Sequence, residues 1–158
     1  MNQDRKAERL PLTPVLEFLE GVWRLNHALE QTSLRMESTL GITAQQRLII
    51  RCVGKYPGMT SGQLATLLHL DPGTISTSLG RLERKGLLQR RQDHRDKRRV
   101  TLGLTATGRA LDKPMPGTIE HAVERLLASA NSEETAVARR MLDRLAELLS
   151  EEAKPDHE

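Results

Sequence analysis

Residues 81–99 hold Arg81, Arg84, Lys85, Arg90, Arg91, Arg95, Lys97, Arg98 and Arg99, with Glu83, Asp93 and Asp96 as the only acids. Groups of this type at this density suit a polyanion. Each keeps a full charge at neutral pH, and the planar fork of arginine bonds phosphate oxygens two at a time. The segment sums to +6 and the whole chain to +3, so the remainder carries −3 and the positive charge is concentrated. A basic run alone is commonly a solvated face, so its meaning depends on the elements that hold it.

Those elements are legible on both sides. Asp71 and Pro72 read as an N-cap and a first-turn proline, after which Ile75, Leu79 and Leu82 form one apolar edge. At about 100° per residue, Gly73, Thr77, Gly80, Arg81 and Arg84 fall opposite that edge, and Gly86 closes the helix. Upstream, Thr60-Ser61-Gly62-Gln63 reads as a capping box before Leu64, Leu67 and Leu68, and only Leu70 separates that helix from Asp71. Downstream the helical period stops from Leu87 to Arg91, and Val100, Leu102 and Leu104 alternate with Thr101 and Gly103 as in a half-buried strand. Residues 93–99 between the strands contain no glycine, which predicts a wide projecting loop rather than a two-residue turn.

Helix, tight turn, helix and basic hairpin is the order of a winged helix-turn-helix, in a chain that is mainly α with a small β-hairpin wing. The second helix must show small or polar groups to a major groove about 12 Å wide. Pro72, Gly73, Thr74, Ser76 and Thr77 do so near its start, and Arg81 and Arg84 can reach bases or bounding phosphates. The candidate DNA contacts are completed by Thr60 before the first helix and, in the wing, by Arg91, Asp93, His94, Arg95, Lys97, Arg98 and Arg99. Arg95 at the tip has the chemistry that a narrow minor groove attracts.

The flanks read as helical. Thr13 and Pro14 open a helix of residues 14 to 40, stopped by Gly41, with Val15, Leu19, Val22, Leu29, Met36 and Leu40 on one face. Leu48, Ile49, Cys52, Val53 and Tyr56 mark a second helix ended by Pro57 and Gly58. Thr105 caps another, which Pro114 and Pro116 must interrupt. Ile119, Val123, Leu126, Leu127 and Ala130, and then Val137, Met141, Leu145 and Leu148 beyond Ser132, form two more stripes. Residues 120–158 carry ten acids against five bases, so this end repels DNA and should pack helices. A long apolar stripe on the first helix needs a second long helix to cover it, which points to another subunit and to a homodimer built from residues 14–40 and 118–152. The 158 residues are read as one structural domain: an arm and dimerisation helix at 1–40, the winged helix-turn-helix at 41–110 and dimerisation helices at 111–158.

Other chemistries find little support. The five histidines, His27, His69, His94, His121 and His157, show no ligand pair at helical spacing, so no metal or cofactor is expected. No phosphate-cradling glycine loop, nucleophile elbow or paired-histidine motif points to an enzyme. The lone Cys52 lies in an apolar stripe and reads as a small buried hydrophobe, the alternative being a thiol-redox switch. A polar N-terminus and the absence of a long apolar run predict a cytoplasmic protein with no membrane contact. A winged helix serving only as a protein–protein module would show a neutral face, against which Gly73, Thr77, Arg81 and Arg84 argue.

Asp71-Pro72-Gly73-Thr74-Ile75-Ser76, Leu82-Glu83-Arg84-Lys85-Gly86-Leu87, Asp93-His94-Arg95-Asp96-Lys97-Arg98 and Leu104-Thr105-Ala106-Thr107-Gly108 together resemble the MarR family of bacterial regulators. The likeness runs over residues 12–150 in element order and is tightest between Thr60 and Gly108. It implies a triangular homodimer on a palindromic operator, usually a repressor, released by a small aromatic or phenolic ligand or by thiol oxidation. It also implies Arg95 as a minor-groove arginine, Asp93 as the carboxylate that orients the wing, and Arg98 or Arg99 as an ion-pair or phosphate partner. Trp23, His27, Met36 and Met115 are candidates to line the effector pocket, or else are core. The departure is Pro114-Met115-Pro116-Gly117, where the family has a long unbroken helix.

Overall fold

A computed structural model of the chain describes residues 12–93, 96 and 98–153. Where the sequence reads as one domain, the chain divides into two compact units, Met1–Lys113 and Pro114–Glu158.

In the first unit α1 (Pro14–Leu40) begins at the Thr13 cap and stops where Gly41 takes φ 71° and its N–H bonds the Glu37 carbonyl. Then α2 (Ala44–Lys55) starts from a capping box of Thr43 and Gln46, and the Ala44 N–H donates to Ser33 Oγ at 3.0 Å, tying it to α1. Its buried face is Gln46, Arg47, Ile49, Ile50 and Val53. This corrects the stripe read from sequence: Leu48 and Tyr56 are half exposed, because the buried arc follows residues 46, 49, 50 and 53 and leaves 48 and 56 outside it. Arg47 is buried because its guanidinium donates to the carbonyls of Leu111 at 2.7 Å and Lys113 at 2.8 Å, which satisfies a charged group that would otherwise be costly to enclose.

The expected capping box opens α3 (Ser61–Leu68), and Asp71 with Pro72 opens α4 (Pro72–Arg84). The turn between them is wider than a single residue. His69 adopts φ 50°, its N–H bonding Thr66 at 3.3 Å while the Leu70 N–H bonds Ala65 at 3.1 Å. Such paired bonds satisfy the last carbonyls and reverse the chain, and histidine here fills a place more often held by glycine. Gly86, at φ 66°, repeats the device after α4, with its N–H on Glu83 at 2.9 Å and the Leu87 N–H on Leu82 at 3.0 Å. Leu87 therefore belongs to the helix end, and the first strand starts one residue later than its pattern indicates.

The wing is an antiparallel pair, β1 (Leu88–Gln92) and β2 (Val100–Leu104), in register from Leu88 opposite Leu104 to Gln92 opposite Val100. A main-chain bond of 2.8 Å from the Leu102 N–H to the Met59 carbonyl fastens β2 to the segment before α3. Then α5 (Ala106–Leu111) follows under the Thr105 cap. Ile42, Ile49, Ile50, Leu64, Ile75, Leu79, Leu82, Leu88 and Leu102 form the core that holds α2, α3, α4 and the wing together.

After α5 the chain leaves helix, and the second unit contains α6 (Ile119–Ser129), capped by Thr118, and α7 (Ser132–Glu152), capped by Asn131 and Glu134. No residue of α6 or α7 is buried, and Val123, Leu126, Leu127, Val137, Met141, Leu142, Leu148 and Leu149 are exposed. On α1 only Met36 is buried, while Val15, Leu19 and Leu29 of its stripe are exposed. Among the described residues no helix is long and apolar enough to cross a membrane.

Candidate nucleic-acid interface

The core holds α4 by one side only. Ile75, Ser78, Leu79 and Leu82 are buried, and Ser78 Oγ donates to Gln45 Oε1 at 3.4 Å. Pro72, Gly73, Ser76, Thr77, Arg81 and Arg84 are exposed, so the hydroxyls, the glycine and both guanidiniums of the candidate set form one continuous outer row. Thr74 differs from its neighbours. It is half-buried, and its hydroxyl and N–H both bond the Asp71 carboxylate, the latter at 2.8 Å. These bonds from Thr74, the hydroxyl first, hold the Asp71 carboxyl below the usual aspartate range. Thr60 is likewise engaged in its cap, its Oγ1 accepting from the Gln63 N–H at 3.2 Å.

In the wing Arg91, Arg98 and Arg99 are exposed and Asp93 is half-buried. Main-chain bonds of 2.9 Å from Asp93 N–H to Arg99 and from Arg99 N–H to Asp96 narrow the base of the loop, and Asp96 Oδ1 accepts from the Arg98 N–H at 2.9 Å. The expectations for His94, Arg95 and Lys97 lie outside the described residues.

Two positively charged residues missed from sequence stand here. Arg90 Nε meets Glu83 Oε1 at 3.2 Å, linking the wing to α4, and the Lys85 ammonium donates to the Gly41 carbonyl, linking the end of α4 to the end of α1. Lys85 had no signal, because its partner lies 44 residues away. Arg90 could have been separated from Arg91 by strand alternation, since it shares the face of Leu88.

The effector candidates are not gathered on one surface of the first unit. Trp23 is 69% exposed and His27 is exposed, whereas Met36, more than three turns further along α1, is 1% exposed. Met115 belongs to the second unit, where its carbonyl accepts from Thr118 Oγ1 at 2.7 Å. Cys52 is half-buried against the core, and burial pushes its thiol pKa up.

Residues 42–100, from the start of the core to the second wing strand, match the model of the MarR family. An HTH-type transcriptional repressor of Mycobacterium tuberculosis is 32% identical over 108 residues, covering 68% of this chain and 78% of its own. Among solved structures, Streptococcus pneumoniae FabT in complex with DNA is similar at TM-score 0.63 and 29% identity, over 87% of this chain and 96% of that one. The PcaV transcriptional regulator of Streptomyces coelicolor, in complex with its natural ligand, is similar at TM-score 0.66 and 26% identity, over 88% and 98%.

Proposed function

The chain belongs to the MarR family, and from that premise we propose that it represses transcription as a homodimer on an operator of two inverted half-sites, with release by a small organic effector. It is a DNA-binding transcription regulator, and we read it as non-catalytic. The observation that carries the reading is the outer row of α4, six small, polar or cationic residues backed by the buried edge of Ile75, Ser78, Leu79 and Leu82 and flanked by the wing. In this reading Thr77 and Arg81 meet base edges in the major groove, while Arg84, Arg91, Arg98 and Arg99 neutralise phosphates. Thr60 and Gly73 stand at helix N-termini, where backbone N–H groups and the helix dipole favour a phosphate oxygen. Arg95 is assigned to the minor groove and Asp93 to orienting the wing.

The exposed apolar side chains of α1 in the first unit and of α6 and α7 in the second support the homodimer, since monomers rarely leave large apolar faces uncovered. A two-fold dimer would set half-sites about 34 Å apart, one turn of duplex. The test is selection of bound fragments from random duplex DNA, with sedimentation of the same sample. The expected result is a dimer enriching a two-fold symmetric sequence, with affinity falling steeply as salt rises. A purely monomeric species, or an affinity indifferent to salt, would contradict the proposal.

A further inference from the structure

Two arginines of α2, one helical turn apart, converge on the end of α5. Arg47 donates to the Leu111 carbonyl at 2.7 Å and the Lys113 carbonyl at 2.8 Å, and Arg51 donates to the Asp112 carbonyl between them. Arg51 also meets the Asp112 carboxylate at 2.8 Å. Gly54 lets that carboxylate lie against α2, since a Cβ there would stand 2.0 Å from it. Capping alone does not require this arrangement. The last carbonyls of a six-residue helix are commonly satisfied by water or by a tightened final turn, and the Asp112 N–H already bonds Arg109 at 3.2 Å. Enclosing the Arg47 guanidinium adds a desolvation cost that water at those carbonyls would avoid. What the two forks fix is the course of the main chain over residues 111–113, where the first unit ends. Pro114 then locks its own φ and disfavours helix at Lys113, and Pro116 locks a second φ.

We propose that Arg47 and Arg51 are positioning residues for operator recognition: by fixing how the chain leaves the DNA-reading unit, they make the dimer selective for the spacing between its half-sites. The inference rests on the proposed function, in which α4 of each copy reads one half-site and α1, α6 and α7 join the copies. Of these, α6 and α7 are reached only through the clamped residues. An exit free to swivel lets each reading unit follow a displaced half-site, whereas a clamped exit makes the duplex match it. Neither arginine belongs to the outer row of α4 or to the wing, so base preference within a half-site does not depend on them.

The test uses the full chain and the operator selected from the random pool. Its affinity is compared with that for the same operator lengthened by two central base pairs, which moves one half-site by about 7 Å and turns it by about 70°. The parent should bind the lengthened operator more weakly. Arg51→Met removes a guanidinium and Gly54→Ala displaces the Asp112 carboxylate, so the two loosen the clamp by different means. Each should reduce the parent's ratio of affinities by at least about threefold, within the roughly 2- to 30-fold by which coupling residues act. Both should bind a duplex carrying one half-site as the parent does, and Arg51→Lys, which keeps a donor without the fork, should fall between parent and Arg51→Met. A folding defect in one variant, visible by circular dichroism, leaves the other to decide. Ratios equal to the parent's in the folded variants overturn the positioning role. So does an equal loss on every duplex, the single half-site included, which is what a merely structural role produces. A parent that binds both spacings alike overturns the reading of two half-sites itself, and this inference with it.

Discussion

Replacing Gly108 by alanine should destabilise the first unit although the position is helical. In an exposed helix the change favours alanine by up to about 1 kcal/mol. Here the new Cβ would stand 1.9 Å from the Leu87 carbonyl oxygen and 3.0 Å from its carbon, both backbone atoms that cannot swing aside. Reaching even 3.0 Å from that oxygen requires the first turn of α5 to retreat by about 1.1 Å. The retreat strains the Thr105 N–H bond to Leu87 at 3.1 Å, the Thr105 hydroxyl bond to Gly86 at 2.6 Å and the Gly108 N–H bond to Thr105 Oγ1 at 3.0 Å. Overpacking costs about 1–3 kcal/mol and loss of a helix cap about 0.5–2. Against the gain in propensity, a net loss of roughly 0.5–4 kcal/mol remains, a large share of the ~5–15 typical of a domain. Urea unfolding followed by circular dichroism reads this as a lower midpoint with an unchanged slope. Thr107→Ala, exposed in the same helix, is the control and should be neutral or slightly stabilising. A Gly108→Ala midpoint at or above the parent's would refute the argument that backbone contact, rather than helix propensity, governs this position.

Thr77→Ala and Arg81→Ala should alter the preferred base at one or two positions by about 1–3 kcal/mol, whereas Arg91→Ala should weaken all sequences alike and lower the salt slope by about one. Titration against single-base operator changes separates the two, and a reversed pattern would exchange the roles of helix and wing. The depressed Asp71 carboxyl contributes stability that is present above the unfolded aspartate pKa, about 3.9, and is lost as pH falls through its lower folded value. Urea midpoints measured down that range should fall more for the parent than for Asp71→Asn, and parallel curves would count against the cap. With its thiolate disfavoured by burial, Cys52 should react with iodoacetamide at pH 8 more slowly than a free thiol. Cys52→Ser should bind DNA as the parent does with or without peroxide, and a peroxide response lost in that variant would restore the redox reading.

Capping residues were legible because their partners lie within three residues: Thr13, Thr60, Asp71 and Thr105 each cap the helix assigned to them. The apolar edge of α4 was legible because a strict helical period leaves no other side for Ile75, Leu79 and Leu82 to face. What escaped depends on distant chain. Arg47 has the composition of a surface residue and becomes interior only because the carbonyls that end α5, more than sixty residues away, meet it there. Gly54 carries no turn signal, yet a Cβ there would lie 2.0 Å from the Asp112 carboxylate, a collision visible only once α2 and α5 are side by side. The bond that occupies the Thr74 hydroxyl is local, but a threonine in a first helical turn reads equally as a cap partner or a DNA contact, and periodicity does not distinguish them.

Of the forces that define α4, almost none passes through its outer row beyond Pro72. Its start is set by Asp71 and Thr74, its end by Gly86, and its orientation by the four side chains on the buried edge, so Ser76, Thr77 and Arg81 are left without a structural duty. Such a division lets inheritance act on the two halves separately. On the proposed reading, substitutions at Ser76, Thr77 and Arg81 would rewrite the DNA address in single steps, each nearly neutral for folding, while the inner residues stay under constraint. A gene duplicate of this protein could therefore acquire a new operator without first passing through an unfolded intermediate sequence.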